Sequence, residues 1–188
     1  MSGKDDWEAI CQQVQNRQWE ITPHHVKNAR MLWAKILKCL TTAHNEGALK
    51  TKIHEIHSLL KLEKSAKNGK GFFEIVGGQR NFKRRKNIPH FERRDGCWFD
   101  FAISIDQNSK PAEIIGFDFE IRFPENYPVK FLRFDLNLPN HNNENRGMRF
   151  HIHPGSDDFT IHSPPMSPFE ILHLFLYGLE IPERPRSS

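Results

Sequence analysis

Cysteine, tyrosine and long apolar runs are all scarce in this chain, and each shortage excludes something. Its three cysteines, Cys11, Cys39 and Cys97, are odd in number and far apart, so they form neither a disulfide framework nor a paired-thiol metal site. No apolar run reaches the roughly 18–20 residues of a membrane span. The opening MSGKDDWEAI puts acidic residues where a secretory signal needs a basic and then an apolar stretch. A cytoplasmic protein without membrane contact is therefore the expectation. Repeats, a glycine-rich phosphate loop and a nucleophile elbow are absent too. What is plentiful is phenylalanine, 15 residues against 2 tyrosines, and histidine, 11 residues. Phenylalanine has no polar handle, so its excess points to a dry aromatic core. The 188 residues carry 27 Lys+Arg against 23 Asp+Glu, a net charge of +4. A chain of this length can bury about 70% of its unfolded surface.

Residues 1–67 read as a helical segment and 68–188 as a sheet domain, the two forming one folding unit. Trp7, Ile10, Cys11, Val14 and Trp19 fall at helical spacing. Thr22 followed by Pro23 has the form of a helix start. Val26, Ala29, Leu32, Trp33, Ile36, Leu37 and Leu40 make an i, i+3, i+4 stripe, and Leu49, Ile53, Ile56, Leu59 and Leu60 make a second. The pattern predicts two antiparallel amphipathic helices preceded by a short one. His54 and His57 stand beside Lys52 and Lys61, on a solvated face.

A basic segment follows, in which Lys70, Arg80, Lys83, Arg84, Arg85, Lys86, Arg93 and Arg94 are interleaved with Phe82, Pro89, His90 and Phe91. Such a segment suits a solvated hairpin loop. It also suits a loop that contacts the phosphates of a nucleic acid, with Arg80, Lys83, Arg84, Arg85, Lys86, Arg93 and Arg94 supplying the backbone affinity.

From Cys97 onward, apolar residues alternate at period two, the mark of antiparallel strands with one buried face. Phe99, Phe101, Ile103 and Ile105 share that face, as do Ile115, Phe117, Phe119, Ile121 and Phe123. Leu132, Phe134, Leu136 and Leu138 form the next set, and Phe150 pairs with Ile152. The opposite face then collects Asp100, Asp118, Glu120, Arg122, Arg133, Asp135, Asn137, Arg149, His151 and His153. Exposed strand positions usually favour Thr, Lys and Ser, so arginine, carboxylate and two imidazoles on adjacent strands suggest a site. His151 and His153, about 7 Å apart at Cα, suit three tasks. They could ligate a metal completed by His162, Asp135 or Asp157. They could act as acid and base for phosphodiester cleavage, with Arg133 or Arg149 stabilising the phosphorane. They could also bind an anion without chemistry. The lack of cysteine, and of a third ligand at fixed spacing, favours the acid–base task without metal or other cofactor. His141, in NHNNEN, reads as a loop residue.

Ser167, Pro168 and Glu170 form a capping box with proline in the first turn. Ile171, Leu172, Leu174, Phe175 and Leu176 make the helix that follows apolar nearly all round. It is expected to be buried against the sheet or against a partner.

The stretch RFDLNLPNHNNENRGMRFHIHPGSDDFTIHSPPMSPFEILHLF resembles a group of small, mostly bacterial proteins that includes toxins of the TumE type. They share an Arg-aromatic-Asp strand, a His- or Asn-bearing loop, a His-x-His strand, a Pro-rich segment and an amphipathic helix. The resemblance covers roughly residues 115–177 and singles out Arg133, Asp135, His151 and His153. It implies a toxin-like or defence-associated protein acting on RNA, with an antitoxin or effector-complex partner. A second pattern, FPENYP, a strand, HPG and then SP-x-x-IL, is similar to the ubiquitin-conjugating fold. This chain has no cysteine after Cys97, and a His-x-His strand stands where that fold passes directly to its His-Pro turn. The second resemblance therefore implies a non-catalytic protein-binding subunit.

The expectation is an α+β domain: two or three N-terminal helices on one face of a four- to five-stranded antiparallel sheet, closed by a C-terminal helix. On the polar face, His151 and His153 would be acid and base, Arg133 and Arg149 would hold phosphate, and Asp135 would orient an imidazole.

Overall fold

Residues 3, 5–6, 24–65, 69–81, 83–144 and 148–182 are described by the structure, a computed structural model. Period-two alternation becomes strand where the sequence shows it, and short neighbouring segments extend the sheet. In chain order the elements are β1 (His24–Val26), α1 (Ala29–Asn45), α2 (Ile53–Leu59), β2 (Leu60–Lys64), β3 (Phe72–Gly77), β4 (Phe91–Glu92) and β5 (Trp98–Asp106). They continue as β6 (Ala112–Arg122), β7 (Phe131–Leu136), β8 (Phe150–Pro154), β9 (Ile161–His162) and α3 (Pro168–His173), which runs on as a π-helical turn, Leu174–Gly178. The sheet is antiparallel and open, in the order β2-β3-β5-β6-β7-β8-β9, with β1 paired to β6 and β4 to β5.

The α+β class stands, but among the described residues the sheet has nine strands rather than four or five, and the helices are placed differently. His24–Val26 is a strand paired with Ala112–Ile114, where the Thr22-Pro23 start predicted helix. The long helix begins instead at Asn28, whose Oδ1 accepts from the Met31 amide at 2.8 Å. The second apolar stripe is helical only over Ile53–Leu59 and straightens at Leu60 into β2. So short an apolar run satisfies either period, and the free edge of β3 offers it a complete ladder of backbone partners. Most of the first predicted helix, Trp7 to Trp19, lies outside the described residues, as do Thr22 and Pro23.

One face of the sheet holds the phenylalanines. Phe101 stacks on Phe119 at 4.8 Å, and Phe91 lies 5.3 Å from Phe99. Helix α1 buries Ala29, Leu32, Ile36, Leu40 and Ala43, the spacing expected of one apolar stripe. The C-terminal helix covers the middle of the sheet through Phe175, whose ring meets Phe99, Phe119 and Phe134. Ile171, Leu172, Phe175 and Leu176 are buried in the chain's own core. In β6 the alternation breaks once. Ser104 pairs with Gly116 but Ile105 pairs with Ile114, so Ile115 is the extra residue of a β-bulge, and Ile114 takes the buried place predicted for Ile115. Leu138 lies past the end of β7 and is exposed rather than inward.

The capping box at α3 forms as the sequence indicates: Ser167 Oγ accepts from the Glu170 amide at 3.4 Å, and Glu170 Oε2 accepts from the Ser167 amide at 2.6 Å. Ser167→Ala is expected to cost about 1 kcal/mol, read as a lowered urea midpoint at unchanged slope. An unchanged midpoint would show that the cap contributes nothing. Among the described residues, no helix is long and apolar enough to cross a membrane.

Candidate functional site

Antiparallel register lines up the polar side chains in rows across β5, β6, β7 and β8. Asp100, Glu120, Arg133 and His153 form one row. Next to it, Asp118, Asp135 and His151 form a second. Trp98, Arg122 and Phe131 form a third at the other side. The alternation that sends the phenylalanines inward thus stacks these charges on adjacent strands.

The basic segment between β3 and β4 folds over this face. Asn81 shapes it: its side chain accepts from the Arg85 amide at 3.0 Å and donates to the Arg85 carbonyl at 2.6 Å. Its own carbonyl accepts from Arg122 Nη2 at 3.1 Å. Within that turn Arg84 takes φ 50°, a left-handed conformation that costs a non-glycine residue about 1 kcal/mol. The conformation delivers its guanidinium onto the Phe131 ring, 3.6 Å from the centroid, and to Glu120 at 3.0 and 3.2 Å. Arg122 stacks likewise on Trp98 at 4.4 Å and pairs with Asp100 and Glu120, both at 2.7 Å.

Between the loop and the sheet lies a cleft of about 610 Å³. Arg80, Arg84, Arg122 and Arg133 supply its guanidiniums. Glu74, Asp100, Asp118, Glu120, Asp135 and Asp157 line it as carboxylates, so acids outnumber bases by two. Burial pushes the Asp100 carboxyl up to about 6 in spite of Arg122 beside it. It also pushes Asp118 up to about 7, with Asp135 and Asp100 adding repulsion against the pull of Arg80. An acid whose pKa is higher folded than unfolded binds more protons in the folded state. Its contribution to stability is therefore present at low pH and is lost as pH rises from the ordinary aspartate value of 3.8 through about 7. Asp118→Asn should flatten that fall in denaturation midpoints measured across this window. A pH profile identical to wild type would contradict the crowding.

At the open side of the cleft stands Asp157, half exposed at 52%. Its Oδ1 accepts from Arg84 Nη2 at 2.7 Å and from Arg133 Nη1 at 2.5 Å. The Arg84 hydrogen bond, seconded by that from Arg133, holds its carboxyl below the ordinary aspartate range. The two guanidiniums that converge on this one carboxylate oxygen are donors that a phosphate oxygen would accept from equally.

Deeper in the face are the two imidazoles, 3% and 4% exposed. The His151 and His153 Nε2 atoms are 3.1 Å apart. Asp135 Oδ2 lies 3.3 Å from His153 Nε2 and 3.7 Å from His151 Nε2, and accepts from Arg133 Nε at 3.0 Å. Burial lowers the His151 pKa, so this ring is neutral near pH 7. Its Nδ1 faces the Met148 carbonyl at 3.0 Å. A carbonyl only accepts, which assigns the proton to Nδ1 and leaves a lone pair on Nε2. Asp135 Oδ1 and His153 Nδ1 are buried without a hydrogen-bond partner among the described residues.

The structure brings together Arg133, Asp135, His151 and His153, together with Arg84 and, at the rim, Arg80, 3.5 Å from Asp118. It does not bring Arg149, whose guanidinium donates to the Asn137 and Ile115 carbonyls at 2.9 and 2.8 Å. Lys83, Arg85 and Lys86 are exposed on the loop. Arg93 is buried away from the cleft, pairing with Asp95 at 2.5 Å and donating to the Phe175 and Leu179 carbonyls. Arg94 is exposed beside Gly47. Three contributors escaped the sequence reading. Phe131 and Trp98 are platforms for guanidiniums, although their parity with Arg133 and Asp100 places them on the polar face. His141, read as a loop residue, lines the cleft.

Comparison of the chain with protein-family models, curated proteins and solved structures gave no match.

Proposed function

We propose that the cleft binds single-stranded RNA and that the histidine–aspartate cluster below it cleaves the phosphodiester, as in a toxin-like or defence-associated effector. The observation that carries this reading is the meeting of Arg84, from the basic loop, with Arg133, from the Arg-aromatic-Asp strand, on one oxygen of Asp157. Two unrelated sequence features thereby converge on one anion position. A backbone phosphate takes that position by displacing Asp157. Asp135 links it to the chemistry, since it lines the cleft and touches both imidazoles. Exposed Lys83, Arg85 and Lys86 extend the basic surface for neighbouring phosphates. The alternative of a protein-binding subunit loses its most apolar surface, because the C-terminal helix is spent on the chain's own sheet.

The test is RNA affinity measured against salt. Each phosphate contact on a single strand contributes about 0.7 to the slope of log affinity against log salt. Arg84→Ala should weaken binding and lower that slope by about 0.7, while Asp157→Asn should tighten binding by removing the competitor. Wild-type affinity that is flat between low and physiological salt would overturn the reading.

A further inference from the structure

We propose that Asp135, His151 and His153 form a binding site for a divalent transition-metal ion. The three candidate ligand atoms, Asp135 Oδ2, His151 Nε2 and His153 Nε2, are separated by 3.1, 3.3 and 3.7 Å. Metal–ligand bonds of about 2.0–2.1 Å in a tetrahedral site give ligand–ligand edges of roughly 3.3–3.4 Å. The cluster thus matches the triangular face such an ion requires, with no rearrangement of the strands. No other group of three or more such side chains with this spacing occurs among the described residues.

The surroundings favour the same conclusion. In the metal-free protein the two Nε2 atoms, 3.1 Å apart, share one proton as an N–H···N hydrogen bond, and an ion that takes both lone pairs replaces that proton. The Met148 carbonyl fixes the His151 ring with its Nε2 lone pair toward the cluster, the outer-shell hydrogen bond that orients metal-binding histidines. The cleft's acidic side chains outnumber its guanidiniums, and a divalent cation offsets their negative charge. Arg133 and Asp135 remain paired, as a ligating carboxylate commonly keeps an outer donor. Two imidazoles and one carboxylate suit zinc, iron(II), cobalt(II) or manganese rather than magnesium or calcium, which prefer oxygen ligands throughout.

The inference extends the proposed function without resting on it for the metal itself. An ion here would neutralise the cleft for an incoming phosphate and supply a Lewis acid, whereas metal binding is measured with no RNA present. The full chain, treated with chelator and dialysed, is titrated with Zn²⁺ by calorimetry and with Co²⁺ followed by visible d–d absorption. The expected result is one equivalent bound by wild type, with binding lost in His151→Ala and in His153→Ala. The conservative Asp135→Asn should weaken binding and alter the Co²⁺ spectrum. A His54→Ala/His57→Ala chain, changed only at exposed helix α2 positions, should bind as wild type does. Circular dichroism of each variant establishes that it is folded, and the wild-type titration stands whatever the variants do. Absence of stoichiometric binding by wild type, or its loss in the α2 variant with retention in His151→Ala, overturns the site. If metal binds but RNA does not, the proposed function fails and the metal site stands. If no metal binds and RNA is nevertheless bound and cut, the proposed function stands and the metal site fails.

Discussion

A His151→Ala/His153→Ala chain is expected to lose RNA cleavage by at least about a hundredfold, the scale of removing groups that move protons or hold a metal at the cleaved phosphodiester, while still binding RNA. The expectation follows from the separation of tasks on the polar face. Phosphate affinity resides in Arg84, Arg133 and the exposed lysines and arginines of the loop, and the hydrogen bonds of Arg84 and Arg133 go to carboxylates rather than to either imidazole. The imidazoles contact Asp135 and each other, so their removal leaves the anion position standing. Both are buried, and truncation opens space beneath Asp135. A thermal melt of the double variant therefore accompanies the cleavage assay. Cleavage persisting at the wild-type rate in a folded double variant would remove the histidines from the chemistry.

Phe175→Ala is expected to lower stability by about 3–5 kcal/mol, as a large buried aromatic does when truncated without collapse of its surroundings. Phe175 is fully buried, and its ring sits against one phenylalanine from each of β5, β6 and β7. It is the side chain that fastens the C-terminal helix to the sheet. Buried Arg93 fastens the same turn through the Phe175 and Leu179 carbonyls. Phe159, 57% exposed, provides the contrast, and Phe159→Ala should change stability by less than about 0.5 kcal/mol. Urea denaturation of the two variants gives the comparison directly. Equal losses would contradict the assignment of the phenylalanine excess to one covered face.

That face was legible from alternation alone, because a period of two fixes parity without knowledge of partners. Phe99, Phe101, Phe117, Phe119, Phe134 and Phe150 are all buried as expected. The polar rows were legible for the same reason, and so was the capping box at Ser167. What alternation could not supply was the number of strands. β1, β4 and β9 are two or three residues long, too short for a period, and they exist because longer strands offer them edges. The bulge at Ile115 was hidden because it depends on register with β5. The loop posed a third difficulty. Arg80, Arg84, Arg93 and Arg94 look alike in sequence, yet Arg84 reaches the cleft through a left-handed turn while Arg93 is buried under the C-terminal helix. Neighbouring positions in a loop have no parity to sort them. The meeting of Arg84 and Arg133 on Asp157 was likewise beyond reach, since it joins three segments widely separated along the chain.

The most direct test of the central claim is cleavage of end-labelled single-stranded RNA by the full chain, wild type against Asp135→Asn, with divalent metal supplied. Among the described residues, Asp135 both lines the cleft and touches the two imidazoles. The account predicts discrete cleavage by wild type, and its loss in Asp135→Asn with RNA binding retained. Wild-type protein that binds RNA and leaves it intact, or an Asp135→Asn chain that cuts as fast as wild type, would contradict it.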